Sequence, residues 1–166
     1  MKKLLLAVSF LLVFGLSFAQ SPLGVGATQV NIGVGMSNWG VPFYAGFDYG
    51  FHRDFTFGAE FSYRGYRENW KNKYYDHSIM GFSGNGNYHF NTILGLPRQF
   101  DFYAGLNIGF FVWSSPDEYN GSHNSGLGLG GQLGGRFYFT DRLGLNVEFG
   151  GSNAFSGGKV GLTIKM

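Results

Sequence analysis

The sequence predicts an all-β protein, an eight-stranded antiparallel up-and-down transmembrane β-barrel. Three observations support this prediction. Apolar and polar side chains alternate along eight segments, and a period of two is typical of β-strands. Short turns alternate with longer polar loops, as in a series of hairpins. Charged residues make up only 13% of the 166 residues, against about 25% in soluble domains, and 29 glycines and 19% aromatic residues take their place.

The first 19 residues predict a secretory signal peptide that is not part of the fold. Lys2 and Lys3 precede an apolar run, and Ser17 and Ala19 provide the small residues of a cleavage site before Gln20. We therefore expect residues 20–166 to form the barrel domain. No later segment approaches the roughly 20 apolar residues of a spanning helix, and the absence of cysteine excludes disulfides and a lipid-modified cysteine.

The net charge excludes one class of partner. Without Lys2 and Lys3, ten basic residues balance ten acidic ones, so the mature chain is formally neutral. A nucleic-acid partner is therefore not expected, because such proteins carry a basic surface. The sequence also indicates no cofactor and no metal.

The eight predicted strands follow one another along the chain. They are 27–36, 41–51, 55–66, 79–90, 100–113, 126–139, 143–149 and 160–166. The third is the clearest, since all phenylalanines of FTFGAEFSY occupy one face. No charged residue or histidine falls on the apolar face of any of them. The first six contain 10 to 14 residues each, enough for the roughly 9–11 residues that a tilted strand needs to cross a bilayer.

The connections predict two different ends of the barrel. Short connections at 52–54 and 140–142, with a longer one at 91–99, lie on one side. The other side carries 37–40, 67–77, 114–125 and 151–158. An even number of strands leaves both termini on the short-turn side.

The alternation alone does not say which face is inside. A soluble, lipocalin-like barrel would bury the aromatic face, whereas a transmembrane barrel would turn it toward lipid. The polar face is mostly glycine, serine, asparagine, threonine and tyrosine, and has too few charges for a surface in water. An eight-stranded barrel is also too narrow to hold eight rows of large apolar side chains. We therefore expect the phenylalanines to face lipid and the sheet to close, because an open edge in hydrocarbon would leave unpaired backbone groups.

A set of charged residues is predicted to point into the lumen. Its members are Asp48, Glu60, Arg64, His89, Asp101, Arg136, Glu148, Lys159 and Lys165. Both signs occur, and an unpaired buried charge is costly, so we expect these side chains to pair and fill the lumen. A gate or a narrow path for ions is the functional alternative.

Two short motifs bear on catalysis. The segment GLGLGG at 126–131 matches the letters of a dinucleotide-binding loop, but a strand follows it where that site needs a helix. His123 and Ser125 are similar to the His-x-Ser of lipid A deacylases, although Gly126 replaces the expected Asn. A serine nucleophile also needs a group that orients its histidine, and the next acid is Glu148 on the following strand. We therefore expect a polar loop there and no enzyme.

The longer loops are the candidates for recognition. Their candidate residues are Trp70, Lys71, Lys73, Tyr74 and Tyr75 in 67–77 and Tyr119 in 114–125. One interpretation is a solvated loop whose aromatic rings anchor at the headgroup level. The other is a recognition surface for lipopolysaccharide or a host molecule, since exposed loops on rigid scaffolds often carry function.

The signal peptide, the eight alternating strands and the unequal connections together resemble the small outer-membrane barrels of the OmpX, opacity-protein and OmpA-transmembrane-domain kind. The resemblance covers 20–166 and implies an outer-membrane location, with lipid, lipopolysaccharide and the assembly machinery as partners. It also implies a lumen plug, for which Glu60 with Arg136, or Glu148 with Lys159, are the candidate pairs. The chain departs from the pattern by ending in Met166 rather than Phe, and no peptidoglycan-binding domain is expected.

Three functions follow as hypotheses. The first is a structural or surface-interaction role, in adhesion or envelope integrity, with the polar lumen filled. The second is a narrow or gated pore. The third, with the weak cue at His123 and Ser125, is a lipid A-modifying enzyme.

Overall fold

A computed structural model describes residues 23–119, 121, 124–152 and 156–166 of the protein. Over these residues the chain forms an antiparallel barrel that closes by pairing β1 with β8. Its strands are β1 (Thr28–Ser37), β2 (Phe43–His52), β3 (Phe55–Trp70), β4 (Lys73–His89), β5 (Phe100–Ser114), β6 (Gly126–Tyr138), β7 (Leu143–Ser152) and β8 (Ser156–Lys165). The predicted fold class is confirmed. The predicted signal peptide lies outside the described residues and stays a prediction.

The two faces of the sheet differ sharply in chemistry. The outer face exposes large apolar side chains, with Phe82 56% and Leu106 74% accessible. The inner face buries polar ones, and Gln29, Asp101 and Thr163 are fully inaccessible. An interior of this kind excludes the lipocalin-like alternative, since the apolar side chains form an outer belt that only a lipid environment covers.

The two ends of the barrel carry different connections. We call the end with the turns 53–54, 90–99 and 139–142 the turn end, and the opposite end the loop end. At the turn end a single short helix, α1 (Asn91–Leu94), begins the 90–99 connection, and Gly95 ends it with a φ of 63°. The described part of the chain contains no helix with the length and hydrophobicity required to span a bilayer.

The prediction of a loop over 67–77 is wrong. β3 continues to Trp70 and β4 begins at Lys73, and these two residues are the last register partners of the hairpin. The turn between them is Lys71 and Asn72, which have φ of 51° and 64°. Positive φ at both central residues is the backbone of a type I′ hairpin turn. This turn is hard to recognise in the sequence because it contains no glycine. The strands beside it also lack apolar–polar alternation, because both of their faces are polar beyond the bilayer.

Glycines bring β1 and β8 close together inside the lumen. A Cβ built on Gly161 would lie 2.2 Å from the carbonyl oxygen of Ile32 and 2.5 Å from the Tyr44 hydroxyl. We expect Gly161→Ala to destabilise the barrel by about 1–3 kcal/mol, because the β1–β8 pairing must open to admit the methyl group. Urea unfolding in lipid vesicles measures this effect.

The matched control for this prediction is Gly86→Ala. Gly86 lies on the outer face, and a Cβ there would meet nothing within 4 Å. Its unfolding midpoint should stay near that of the wild type. Equal midpoints for the two variants would contradict the close approach at Gly161.

Candidate functional sites in the lumen and at the loop end

The turn-end half of the lumen is organised by one guanidinium group. Arg136 donates from Nη2 to Asp48 Oδ2 at 2.8 Å and from Nη1 to Asp101 Oδ2 at 3.0 Å. Its guanidinium also stacks over the Tyr103 ring, 4.2 Å from the centroid. All three charged side chains are almost inaccessible, at 2%, 4% and 1% for Arg136, Asp48 and Asp101. The Arg136 side chain, paired with both carboxylates, therefore fills the barrel at this level.

Further polar side chains surround the two carboxylates of this centre. Asp48 Oδ2 also accepts from Gln29 Nε2 and Asn31 Nδ2, both at 2.9 Å. His89 Nδ1 lies 2.7 Å from Asp101 Oδ1, and its Nε2 lies 3.0 Å from Thr56 Oγ1. Each carboxylate thus has several partners, as a buried charge requires.

A second ionic cluster lies nearer the loop end. Lys159 Nζ contacts Glu60 Oε2 at 2.8 Å and Glu148 Oε1 at 2.7 Å. Tyr103 contacts both clusters. Its ring stacks against the Arg136 guanidinium, and its hydroxyl donates to Glu148 Oε2 at 2.9 Å. The predicted pair of Glu148 and Lys159 is confirmed.

The predicted pair of Glu60 and Arg136 is wrong. Glu60 lies on β3 and takes Lys159 of β8 as its partner, whereas Arg136 of β6 lies nearer the turn end with Asp48 and Asp101. The stagger of tilted strands around the barrel decides which residues share a level in the lumen. Sequence alternation reports only which face each residue occupies.

The remaining inward charges lie toward the two ends. Arg64 donates from Nη1 to Ser37 Oγ at 2.9 Å near the loop end, while Lys165 Nζ lies 3.5 Å from the centroid of the Tyr138 ring. A cavity of about 120 Å³ lies on the loop-end side, lined by Glu60, Arg64 and Lys159 among others. Below it lie the buried side chains of the Arg136 centre. Within the described residues, no group of three or more His, Asp or Glu side chains is placed to hold a metal ion.

The loop end is braced by contacts between the β3–β4 hairpin and the segment 115–119. Lys73 pairs with Glu118, and the Tyr119 hydroxyl donates to Glu68 Oε2 at 2.7 Å. The Lys73 ammonium holds the pKa of Glu118 below its ordinary value. Desolvation, with the hydrogen bond to Glu68, raises the pKa of Tyr119 to about 12. The hairpin is therefore a supported element rather than a free loop.

Aromatic rings fill the space between these ionic contacts. Tyr119 packs edge-on against Trp70, Tyr75 and His77, with ring centroids 6.1, 5.2 and 4.6 Å away. Tyr74 is on the outer face of the hairpin and 69% exposed, and Lys71 occupies the exposed turn. All six recognition candidates therefore lie on one hairpin and its brace.

Sequence reasoning missed two residues of this region, His77 and Ser115. His77 Nδ1 lies 2.9 Å from Ser115 Oγ, and the His77 side chain is inaccessible. The two residues are 38 positions apart, so no local motif could have indicated their contact. Of the pair that the sequence did single out, His123 lies outside the described residues, and Ser125 Oγ accepts from the Trp113 amide at 3.0 Å.

Solved structures with this architecture come from several bacteria. Neisserial surface protein A is 15% identical with a TM-score of 0.61, over 84% of this chain and 96% of that one. OprG of Pseudomonas aeruginosa is 11% identical with a TM-score of 0.66, over 87% and 97%. Ail of Yersinia pestis is 15% identical with a TM-score of 0.50, over 86% and 100%. The chain has the fold of the small outer-membrane β-barrels.

OprG and Ail are outer membrane proteins by name, which supports the same location for this outer-membrane-type barrel. No protein-family model matches the sequence, and no curated protein matches it. The likeness therefore rests on the fold, and the role of the barrel has to be argued from its own residues.

Proposed function

We propose that this protein is a non-conducting outer-membrane barrel that supports envelope integrity and presents its loop end for contact with another surface. The Arg136 centre is the observation that supports a non-conducting barrel. Its charges are buried and mutually paired, so an ion entering from the loop end would have to displace a guanidinium from two carboxylates. Lipid and lipopolysaccharide surround the belt in this proposal, and the outer-membrane assembly machinery inserts the chain.

The hairpin carries the surface-interaction part of the proposal. β3 has 16 residues and β4 has 17, against 10 in β2. At about 3.3 Å per residue, the six extra residues of β3 add roughly 20 Å of strand. Such a rigid element loses little conformational entropy on binding, which favours recognition.

The chemistry of the hairpin favours aromatic recognition over binding of polyanions. Ail has been solved with sucrose octasulfate, a heparin analogue. Here Arg67 already pairs with Asp76 at 2.6 Å, and Lys73 pairs with Glu118. Trp70 and Tyr74 stay 38% and 69% exposed, and exposed Trp and Tyr side chains are typical anchors of binding surfaces. A cell-surface ligand that offers an apolar or sugar face fits this surface best.

The alternative of a narrow pore is tested by conductance. We expect the refolded 20–166 chain to give no stepwise currents in planar bilayers. Stepwise currents that change when Lys159→Met and Glu148→Gln are combined would favour the pore and overturn the closed lumen.

The surface-interaction role is tested by shortening the hairpin. The test variant removes residues 68–75 and joins Arg67 to Asp76, which are register partners, through an Asn-Gly turn. The control carries Lys71→Asn and Asn72→Gly, which keep the length and suit a type I′ turn. We expect only the shortened variant to abolish adhesion of expressing cells to an epithelial layer. Equal adhesion by cells with either variant, at equal surface levels, would contradict the role.

A further inference from the structure

Three side chains at the loop end form a cluster that is separate from the two ionic clusters of the lumen. Ser115 Oγ lies 2.9 Å from His77 Nδ1. On the other side of the imidazole, His77 Nε2 lies 3.6 Å from Glu68 Oε2. The residues come from β3, from β4 and from the segment directly after β5. A hydroxyl, an imidazole and a carboxylate in this order match the nucleophile, base and orienting group of serine hydrolases.

The accessibility of the three groups suits these roles. Ser115 is exposed, the His77 side chain is inaccessible, and Glu68 is 23% exposed. The Tyr119 hydroxyl donates to Glu68 Oε2 at 2.7 Å, and Trp113 lies edge-on to the imidazole with centroids 6.0 Å apart. The ring is thereby held beside the hydroxyl of Ser115, a residue that is itself exposed. The 3.6 Å contact is longer than a hydrogen bond, and such contacts often tighten only when substrate binds.

The outer surface beside Ser115 has the shape of a site for an amphiphile. A hollow of about 710 Å³ is lined by Ser115 and His77, together with Tyr63, Arg67 and Ser78. Tyr63 is 43% exposed on the lipid face, where tyrosines mark the headgroup level. The hollow is thus at the boundary between lipid and water.

A second hollow lies below the first, is apolar and extends across β2 to β6. Phe61, Phe82 and Ile108 line it around Ala59 and Gly84. The small residues Ala59 and Gly84 are register partners, so they leave a depression between larger neighbours. A polar hollow above an apolar one accommodates a headgroup and an acyl chain respectively.

We propose that Ser115, His77 and Glu68 form a serine esterase site that cleaves acyl esters of membrane lipids. Ser115 is the nucleophile, His77 the general base and acid, and Glu68 a positioning residue. Phospholipids and lipid A both carry such esters, and the shared chemistry is the carboxylic ester at the headgroup boundary. The activity is independent of the surface-interaction role, because it needs no second cell.

The reaction balances with water as the only co-reactant. Ser115 Oγ bonds to the ester carbonyl carbon while its proton passes to His77 Nδ1. Collapse of the tetrahedral intermediate breaks the bond to the alcohol oxygen, which takes that proton and leaves an acyl-serine. Water then attacks the acyl carbon, gives one proton to His77, and releases the fatty acid as the proton returns to Ser115.

The first test is covalent labelling of the folded 20–166 chain in detergent micelles with a fluorophosphonate probe. We expect a single adduct, found on Ser115 by mass spectrometry of peptides, and none in Ser115→Ala. His77→Asn should slow labelling by about 10²- to 10⁴-fold. Glu68→Gln should slow it less and change its pH dependence, and Glu68→Asp should restore part of the rate.

Ser125→Ala is the matched control, since Ser125 is another exposed serine at the same end of the barrel. It should label like the wild type. Every variant is first checked for the gel shift of a folded, unboiled barrel, so that a loss of labelling cannot be a loss of folding. An adduct that persists in Ser115→Ala, or no adduct on the folded wild type, would overturn the proposal.

The second test separates the two sources of ester. The protein is placed in phospholipid vesicles, or in vesicles containing lipopolysaccharide, and released fatty acids are measured. Release from either set that disappears in Ser115→Ala supports the proposal and identifies the substrate. Release from neither set, with folding intact, contradicts hydrolysis of membrane lipids even if the probe reacts.

Discussion

Replacing Arg136 with methionine is expected to destabilise the folded barrel by about 3–5 kcal/mol, the usual cost of removing one partner from a buried ion pair. The change leaves Asp48 and Asp101 facing each other in the lumen without the guanidinium that lies 2.8 and 3.0 Å from them. Methionine retains most of the side-chain volume, so the lost charge rather than a cavity causes the effect. The free energy of unfolding is measured by urea titration in lipid vesicles.

Two companion variants test this explanation. Asp48→Asn and Asp101→Asn, added to Arg136→Met, remove the uncompensated charges and should recover much of the lost stability. Arg67→Ala removes the exposed pair with Asp76 and should leave the unfolding midpoint unchanged, because solvent screens such pairs. If Arg136→Met unfolds at the wild-type urea concentration, the centre does not stabilise the barrel. Failure of the triple variant to recover would point to packing against Tyr103 instead.

Replacing Leu106 with arginine is expected to cost about 2–4 kcal/mol, the penalty for a basic side chain on the lipid face at the bilayer midplane. Leu106 lies at the middle of β5 and is 74% exposed, among apolar neighbours of the outer belt. A water-facing leucine at this position would tolerate the change with almost no loss. The substitution therefore tests the orientation of the whole sheet, again through the free energy of unfolding in vesicles.

The control is Val112→Arg on the same strand and the same face. Val112 is six residues nearer the loop end, next to Trp113, where the cost of a basic residue falls to about 0–1 kcal/mol. The two variants share their chemistry and differ in depth alone. Equal effects at both positions would refute a belt with its midplane near Leu106.

The fold was predictable because a narrow barrel in lipid constrains every strand in the same way. Phe55, Phe57 and Phe61 had to share a face, and Glu60 had to lie on the other one. The same alternation correctly predicted the outward aromatic rows and the inward position of the lumen charges, and the cost of unpaired backbone groups in hydrocarbon predicted closure. The alternation also placed Glu148 and Lys159 on the inward faces of adjacent strands, where the structure makes them register partners.

The alternation does not predict which residues lie at the same level of the lumen, or which structure the chain adopts beyond the bilayer. The resemblance to OmpA-like barrels predicts Glu60 with Arg136, whereas the tilt of the strands brings Lys159 to Glu60 across the lumen. The sequence predicts a loop where the hairpin from Arg67 to Asp76 lies, because beyond the bilayer a strand needs no apolar face. Lys71 and Asn72 also form its turn without the glycine that usually indicates one.

By itself, the sequence determined the number of strands, the face each side chain occupies and the environment that the outer face requires. These follow from a period of two and from the cost of charge in hydrocarbon, which are both local properties. Only the tertiary structure decided that Arg136 serves both Asp48 and Asp101, and that Ser115 meets His77. Such contacts join strands far apart in the chain, and barrel closure and stagger, rather than local sequence, set the level at which they meet.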